Sequence, residues 1–201
     1  MAGKTDTKSR ILDIAEKSVL EKGFQATSIE EIVAALDISR SGFFYHFKDK
    51  NELARALIQR YIETENTLFD QLFARARELN EDPLHAMLIG LKLLAEMLDD
   101  MPNGHPGCVV AATAYQDRLF DAGVRDLNRQ AILGWRKRFR GMFEEIADTH
   151  PPKVQVDLDA LGDLVSSVVE GGLVLQRALR ENHIAATQIM QLRHYIQLLF
   201  S

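Results

Sequence analysis

The sequence has little of what cross-linked, low-complexity or membrane-spanning proteins need. Among 201 residues there is a single cysteine, Cys108, which excludes an internal disulfide and a structural zinc site built from cysteines. Five prolines and twelve glycines are too few for a linker-like or collagen-like chain. No apolar run reaches the ~18 residues that span a bilayer, and residues 1–10 are polar, without the apolar core of a signal peptide. We therefore expect a soluble, cytoplasmic protein.

An excess of positive charge is also missing. The formal net charge is −5. Residues 1–50 hold eight basic and eight acidic side chains, and the remaining residues hold 16 basic and 21 acidic ones. If nucleic acid is a partner, a local patch must bind it, because the chain as a whole attracts no phosphate backbone. Lys4, Lys8 and Arg10 form a small cationic arm that either reaches DNA or is a solvated tail.

The sequence does contain apolar residues at helical spacing along its whole length. No alternating run flanked by hairpin turns is present, so we predict an all-α fold of about nine helices. A capping box is predicted from Thr27 to Glu30, and Asp82-Pro83 is typical of a helix start. After a first helix that ends before Gly23, the expected helices cover about 28–35, 39–46, 49–79, 83–101, 107–119, 124–148, 157–180 and 185–200.

The strongest pattern lies in the first fifty residues. Two short helices, at about 28–35 and 39–46, are joined by a turn at residues 36–38, which is typical of a helix-turn-helix that places its second helix in the DNA major groove. Gly42 lies within that second helix, where glycine costs about 1 kcal/mol relative to alanine. Either the backbone approaches DNA there, or Gly42 relieves crowding between helices.

Three segments, 26–32 (ATSIEEI), 38–47 (ISRSGFFYHF) and 50–53 (KNEL), resemble the DNA-binding domain of the TetR/AcrR family of bacterial repressors. The resemblance covers about residues 8–55. It implies a helix-turn-helix DNA-binding domain at 1–50 and a ligand-binding and dimerisation domain at 51–201, working as a homodimer. Phe44 departs from the family, in which many members carry tyrosine there.

The resemblance also implies which side chains contact DNA. Thr27 and Ser28 would touch phosphate at a helix N-terminus. Arg40, Ser41 and Gly42 would face base edges. Tyr45 and His46 would meet the DNA backbone, and Lys50 would reach a phosphate. These candidate DNA-binding residues are Thr27, Ser28, Arg40, Ser41, Gly42, Tyr45, His46 and Lys50.

The rest of the chain predicts a ligand site less specifically. The helix that starts at Pro83 has an apolar arc of roughly 220°, which needs burial on two sides. One side would face the core and the other a cavity for a small, largely apolar effector, although a fully packed central helix explains the same pattern. The candidate ligand-binding residues are Phe69, Met87, Leu91, Cys108, Ala112, Tyr115, Trp135, Phe139, Val169 and Leu173.

The last two helices are apolar and rich in small residues, and the resemblance implies that they form a four-helix dimer interface. The alternative is that they only complete the core of one chain. The candidate interface residues are Leu161, Val165, Val168, Gly172, Leu192, Ile196 and Leu199.

Catalytic motifs are not evident. His105 and Cys108 could belong to a nucleophile pair or half a metal site, but a lone cysteine in an apolar run is more often a buried side chain, and the other histidines are scattered. We therefore predict no enzyme, no cofactor and no metal. The leading hypothesis is a ligand-responsive repressor that leaves a palindromic operator when an effector binds. The alternatives are a helical sensor or carrier whose head binds protein, a redox regulator based on Cys108, and an activator.

Overall fold

The computed structural model describes residues 4–201, with side chains from residue 7 onward. Within this range the chain is helical and contains no strand, which confirms the predicted all-α fold. The nine α-helices are α1 (Lys4–Lys22), α2 (Ile29–Leu36), α3 (Arg40–His46), α4 (Lys50–Leu79), α5 (Pro83–Asp99), α6 (Val109–Ala114), α7 (Ala122–Thr149), α8 (Leu158–Leu179) and α9 (Ile184–Phe200). A short 3₁₀ helix (Asp117–Leu119) follows α6.

Most helix boundaries agree with the local capping signals. Ser39 caps α3 by accepting a hydrogen bond from the Gly42 amide at 3.0 Å, and Asp82 caps α5 by accepting from the His85 amide at 2.9 Å. The predicted helix at 107–119 is too long, because Cys108 already caps α6 and the helix ends at Ala114. Residues 122–123 are expected to be a break but form the first turn of α7. The Asp121 carboxylate caps this helix by accepting a hydrogen bond from the Val124 amide at 3.0 Å.

The first of two compact units comprises Met1–Thr64 and Pro106–Ala131. Its core is built from side chains of α1–α4 and of the segments between them that are fully or almost fully buried: Ile11, Ala15, Val19, Phe24, Ile32, Phe43, Phe47, Leu53 and Leu57. The later segment packs on the same core, because the rings of Phe24 and Phe120 meet edge to face with centroids 4.7 Å apart. This unit therefore holds the predicted helix-turn-helix together with a segment from the middle of the chain.

The second unit comprises Glu65–His105 and Ile132–Ser201. In it α9 packs against both α5 and α8. The contact between α8 and α9 is close at Gly172, since a Cβ atom there would lie 2.9 Å from the Cα of Ala185. The Arg193 side chain donates to the Leu88 carbonyl at 3.0 Å and so links α9 to α5.

The compact units do not follow the predicted boundary at residue 50. Helices α4 and α7 each contribute residues to both units, and residues 106–131 belong to the same unit as the N-terminal helices. The functional division into 1–50 and 51–201 stays a prediction. Among the described helices, none combines the length and the apolar character that crossing a membrane requires.

Candidate nucleic-acid interface

The start of α2 is fixed by a capping box, one residue later than predicted. Ser28 is the N-cap: its hydroxyl accepts from the Glu31 amide at 3.1 Å, and the Glu31 carboxylate accepts from the Ser28 amide at 3.4 Å. The hydrogen bonds from Lys22 and from Ser28 hold the pKa of the Glu31 carboxyl below its usual value. Ser28 is half-buried at the helix N-terminus, where free amides favour an anion.

Thr27 is not positioned to contact a phosphate, and this part of the prediction is wrong. Its side chain is fully buried, and its hydroxyl donates to the Gly23 carbonyl at 3.0 Å. The same hydroxyl lies 3.0 Å from the Ser18 hydroxyl. Thr27 therefore ties the loop before α2 to α1 instead of facing solvent.

The turn between α2 and α3 depends on a left-handed residue. Asp37 adopts φ 52° and ψ 44°, a conformation that aspartate tolerates better than most residues. Its amide donates to the Ala34 carbonyl at 3.3 Å, and the Ile38 amide donates to the Val33 carbonyl at 3.2 Å. Ser39 then begins α3, so the two helices are held in the helix-turn-helix arrangement by local hydrogen bonds.

One side of helix α3 packs on the core and the opposite side is exposed. Phe43 is completely buried, and Phe47, which follows the helix, is 1% exposed. On the opposite side Arg40, Ser41 and Tyr45 are exposed, whereas Gly42 and His46 are half-buried. The predicted DNA-facing residues of α3 thus share a surface whose position is fixed by two core phenylalanines.

Arg40 dominates the chemistry of this surface. Its side chain is 69% exposed, and one guanidinium nitrogen lies 3.4 Å from the Glu30 carboxylate. The guanidinium carbon lies 5.8 Å from the centre of the Phe44 ring. An exposed pair of this kind contributes little to stability and is readily exchanged. A guanidinium with a planar fork of donors suits the two acceptors of guanine in the major groove.

A side chain at Gly42 would be slightly crowded. A Cβ atom at this position would lie 3.3 Å from the Ser39 hydroxyl, which is the group that caps α3. This crowding is against the cap of α3 itself, whereas the predicted reason was crowding between helices. A close backbone approach to DNA stays a prediction.

Lys50 is held inside the first unit and is not free to reach out as predicted. Its ammonium donates to the carbonyls of Thr27 at 2.6 Å and Phe24 at 3.2 Å, and it lies 5.0 Å from the centre of the Phe24 ring. Burial lowers the pKa of the Lys50 ammonium, an effect that nearby Glu30 partly opposes. In this structure Lys50, at the start of α4, therefore holds the loop before α2 by hydrogen bonds to its backbone.

The predicted cationic arm is partly helical. Residues from Lys4 onward belong to α1, so the segment is not a tail over that stretch. The Lys8 ammonium lies 5.6 Å from the centre of the Phe47 ring, and Arg10 is exposed. The side chain of Lys4 lies outside the described residues.

Sequence reasoning left Phe44 out of the DNA-facing set. Its ring is 40% exposed and lies beside Arg40, so it is part of the α3 surface and not of the core. Helical spacing could have indicated this, because Phe43 and Phe44 are neighbours separated by about 100° around the helix. A buried Phe43 therefore turns Phe44 away from the core.

The predicted ligand residues are distributed over both units. In the second unit Phe69, Met87, Leu91, Phe139 and Leu173 are buried, and Val169 is half-buried. Trp135 is 9% exposed, and its indole Nε1 is buried without a hydrogen-bond partner. These residues lie in the interior, as an effector site requires, and their role as such stays a prediction.

The other three predicted ligand residues lie in the first unit. Cys108 is half-buried, and its sulfur accepts from the Ala111 amide at 3.4 Å as the N-cap of α6. Ala112 is half-buried as well. Tyr115 is 83% exposed, so its side chain is not enclosed in this structure, and its role in ligand binding stays a prediction. Because α6 ends at Ala114, Tyr115 falls outside the helix whose apolar side would have buried it.

Most of the predicted dimer-interface residues are core residues of one chain. Six of them are buried in the second unit without any partner chain: Leu161, Val165, Gly172, Leu192, Ile196 and Leu199. Only Val168 is half-exposed. Their role at a dimer interface stays a prediction. Both helices are apolar on more than one side, so their inner and outer faces look alike in the sequence.

Within residues 4–201, no group of three metal-binding side chains comes together. The succession of α2, a tight turn and α3 with an exposed face is that of a helix-turn-helix, an arrangement that in DNA-binding proteins places its second helix in the major groove. Residues 11–57 match the model described as "Bacterial regulatory proteins, tetR family". This part of the chain is therefore similar to the DNA-binding domain of TetR-family regulators.

Two curated relatives come from Bacillus subtilis (strain 168). The uncharacterised HTH-type transcriptional regulator YvkB is 33% identical over 91 residues, which is 45% of either chain. The uncharacterised HTH-type transcriptional regulator YxaF is 24% identical over 87% of either chain. A TetR-family transcriptional regulator from Agrobacterium tumefaciens has a similar structure, with a TM-score of 0.80 at 18% identity, covering 98% of this chain and 99% of that one. This likeness shows the fold.

Proposed function

We propose that the protein is a homodimeric, ligand-responsive transcriptional repressor of the cytoplasm. It binds a palindromic DNA operator through α3 and leaves it when a small, largely apolar effector binds the second unit. The observation that carries the proposal is the exposed α3 surface around Arg40, which is held in place by Phe43 and Phe47. The match of residues 11–57 to the model of bacterial regulatory proteins supports regulation, and the structure of α3 supports specific DNA recognition.

Each half-site would be read by a few placed contacts. Arg40 and Ser41 would face base edges, and Tyr45 would donate its hydroxyl to a phosphate at the rim of the surface. Ser28 and the free amides at the start of α2 would bind a second phosphate. Because residues 1–50 carry no net charge, we expect specificity to come from paired half-sites and not from general attraction to DNA.

Dimerisation would use the outer faces of α8 and α9. Gly171 has no atom within 4 Å of a built Cβ, in contrast to its neighbour Gly172. Val174 and Leu175 follow Gly171 by three and four residues on α8, Tyr195 and Leu198 lie three residues apart on α9, and all four side chains are exposed, Leu198 at 69%. Exposed apolar faces of this kind support an interface between two copies, in which small residues allow close approach.

Effector response would follow from differential binding. An effector shifts the protein between two conformations only by the difference in its affinity for them. The interior of the second unit supplies aromatic and aliphatic walls, including Phe69, Phe139, Met87 and Leu91. We propose that the conformation favoured by the effector separates the two α3 helices by a distance that no longer matches the operator.

The test of operator binding is selection of bound fragments from a random DNA pool with the purified protein. We expect enrichment of one palindromic site with half-sites about one helical turn or more apart. In cells, this site placed within a promoter should lower expression of a reporter. Absence of any enriched sequence would contradict DNA reading, and a higher reporter signal would contradict repression.

The dimer is tested by light scattering on the double variant Leu175→Arg, Leu198→Arg. We expect a monomer that keeps its helical content and loses operator affinity. The matched control is Val154→Arg, at an exposed apolar residue between α7 and α8, which should stay dimeric. A double variant that stays dimeric would overturn the assignment of this surface.

A further inference from the structure

The second unit contains a buried hydrogen-bond donor with nothing to donate to. Trp135 is nine-tenths buried, and its indole Nε1 is fully enclosed and without a partner. An indole N–H can only donate, and buried donors that stay unsatisfied are uncommon in folded proteins because they lose their bond to water. An acceptor from outside the chain would remove this deficit.

Glu65 on α4 is a second polar group without a partner. Among the described residues, none donates a hydrogen bond to its carboxylate or forms an ion pair with it. Burial raises the pKa of the Glu65 carboxyl to about 7, and no neighbouring cation opposes that effect. An ionised Glu65 therefore lacks an internal counter-ion.

Helix packing brings Glu65 and Trp135 together. Helices α4 and α7 advance in the same direction, because Arg138 pairs with Asp70 at 2.6 Å and, one to two turns further along both helices, Arg77 pairs with Glu145 at 2.6 Å.

Between these ion pairs, the rings of Phe69 and Phe139 meet with centroids 5.6 Å apart. Residues four apart share a helix face. Glu65 precedes Phe69 by four residues and Trp135 precedes Phe139 by four, so the two polar groups are neighbours one turn before the aromatic contact.

The Arg138 cation on α7 is already engaged by other groups. The Arg138 guanidinium lies 5.9 Å from the centre of the Phe69 ring, and it donates to Asp70 at 2.6 Å and to Asn66 at 3.4 Å. It is thus held by other groups of α4. The Phe69–Phe139 contact lies one turn beyond Glu65 and Trp135, and aromatic faces attract organic cations.

We propose that Glu65 and Trp135 recognise a cationic effector, an organic ammonium that carries a hydrogen-bond acceptor close to its nitrogen. The ammonium donates to the Glu65 carboxylate, the acceptor takes the Trp135 N–H, and the apolar remainder packs against Phe69 and Phe139. An anion would be repelled by Glu65, and a purely apolar molecule would leave both polar groups unsatisfied. This inference rests on the proposed ligand response and names the class of effector.

The experiment uses the full-length protein and the fluorescence of its single tryptophan, which is Trp135 itself. The probes share a phenylpropyl skeleton: phenylalaninol carries an ammonium and a hydroxyl, 3-phenylpropylamine the ammonium alone, 3-phenylpropanol the hydroxyl alone, and 3-phenylpropionate a carboxylate. At about pH 8, where Glu65 is mostly ionised, we expect phenylalaninol to bind at least about tenfold more tightly than 3-phenylpropanol, and 3-phenylpropionate most weakly.

Variants assign this preference to the two residues. Glu65→Gln should bind phenylalaninol and 3-phenylpropanol about equally. Trp135→Phe, followed by calorimetry, should lose the preference for phenylalaninol over 3-phenylpropylamine. The matched control is Asp70→Asn, which changes an acid of the same helix whose side chain is 67% exposed and paired with Arg138, and should keep the preference for the amine.

The outcomes separate this inference from the proposed function. Equal binding of all four probes, binding of none, or an unchanged preference in Glu65→Gln would overturn the amine site while operator binding stands. Amine-selective binding that depends on Glu65 but does not change operator affinity would support the site and contradict ligand-responsive repression. Failure to select any operator would contradict DNA reading and leave the fluorescence titration to decide the site.

Discussion

The two compact units differ in one buried polar group, which has no partner in the second unit. In the first unit, residues 106–131 are joined to the N-terminal helices by paired groups. Gln116 accepts from the Gln25 amide at 3.1 Å, Asn51 accepts from the Asp121 amide at 3.0 Å, and Arg55 pairs with Asp121 at 2.8 Å. In the second unit, by contrast, the indole N–H of Trp135 has no partner.

This difference assigns different tasks to the two units. A network whose donors and acceptors are paired favours one arrangement, which suits a surface that must match a fixed DNA shape. An unpaired buried donor instead raises the free energy of the empty state, so that a molecule which satisfies it is bound preferentially. We therefore expect the first unit to recognise DNA and the second to bind the effector.

The largest expected effect comes from Phe43, whose buried ring holds the exposed surface of α3 in place. Phe43→Ala should lower the free energy of unfolding by about 3–5 kcal/mol, because it leaves a cavity beneath α3 where the native ring is fully buried. The matched control is Phe44→Ala, at the exposed neighbour, which should change stability by no more than about 0.5 kcal/mol. Urea unfolding followed by circular dichroism measures both, and similar losses in the two variants would contradict the placement of α3.

The next effect tests the unsatisfied polar groups of the second unit. Burial raises the pKa of Glu65 from 4.5 to about 7. Below pH 4.5 the carboxyl is protonated in both folded and unfolded chains, so stability is unaffected there. As the pH rises towards 7, the unfolded chain ionises more readily, and the native protein loses stability.

Glu65→Gln should remove this pH-dependent loss. We expect the variant to be more stable than the native protein by about 1–3 kcal/mol at pH 8 and equally stable at pH 4, the range allowing for screening by solvent. Asp70→Asn is the control and should not reproduce the difference. Urea unfolding at several pH values provides the measurement, and a variant that is less stable at pH 8 would show that the carboxylate has a stabilising partner.

A comparable effect is expected on DNA binding at Arg40. Arg40→Ala should weaken operator binding by about 1–3 kcal/mol without lowering the melting temperature, since the side chain is exposed. Arg40→Lys keeps the charge but loses the planar fork, so it should be nearly as weak if Arg40 reads a base. Fluorescence anisotropy with the selected operator measures this, and full affinity in Arg40→Lys would indicate a phosphate contact instead.

The sequence predicted those features that are decided locally. Ser39, Asp82 and Asp157 are side chains that can cap only the helix that follows them, so the starts of α3, α5 and α8 were predictable. The capping box of α2 was placed one residue early because Thr27 and Ser28 are equally good caps locally. The choice between them is made by the burial of Thr27 against Ser18 and Gly23, which is a tertiary contact.

Features decided by packing could not be predicted in the same way. Helix α8 is apolar nearly all round, and Gly171 and Gly172 are adjacent, yet only Gly172 lies against α9. Lys50 fits a phosphate contact by its position in the motif, but the loop before α2 offers it two carbonyls in the same chain. The inner face of a helix and the partner of a cation depend on which elements come together.

The smallest expected effect tests whether the first unit is held as one piece. Gln116→Ala removes the acceptor for the Gln25 amide and should lower stability by about 0.5–1.5 kcal/mol. Gln116→Glu keeps an oxygen that can accept this bond and should lose less. Hydrogen exchange is the sharper measurement, because the Gln25 amide should exchange faster in Gln116→Ala and at the native rate in Gln116→Glu. Unchanged exchange at Gln25 in both variants would mean that this hydrogen bond does not hold residues 106–131 to the N-terminal helices. Of the contacts named above, those of Asp121 with Asn51 and Arg55 would then be left to join the two segments.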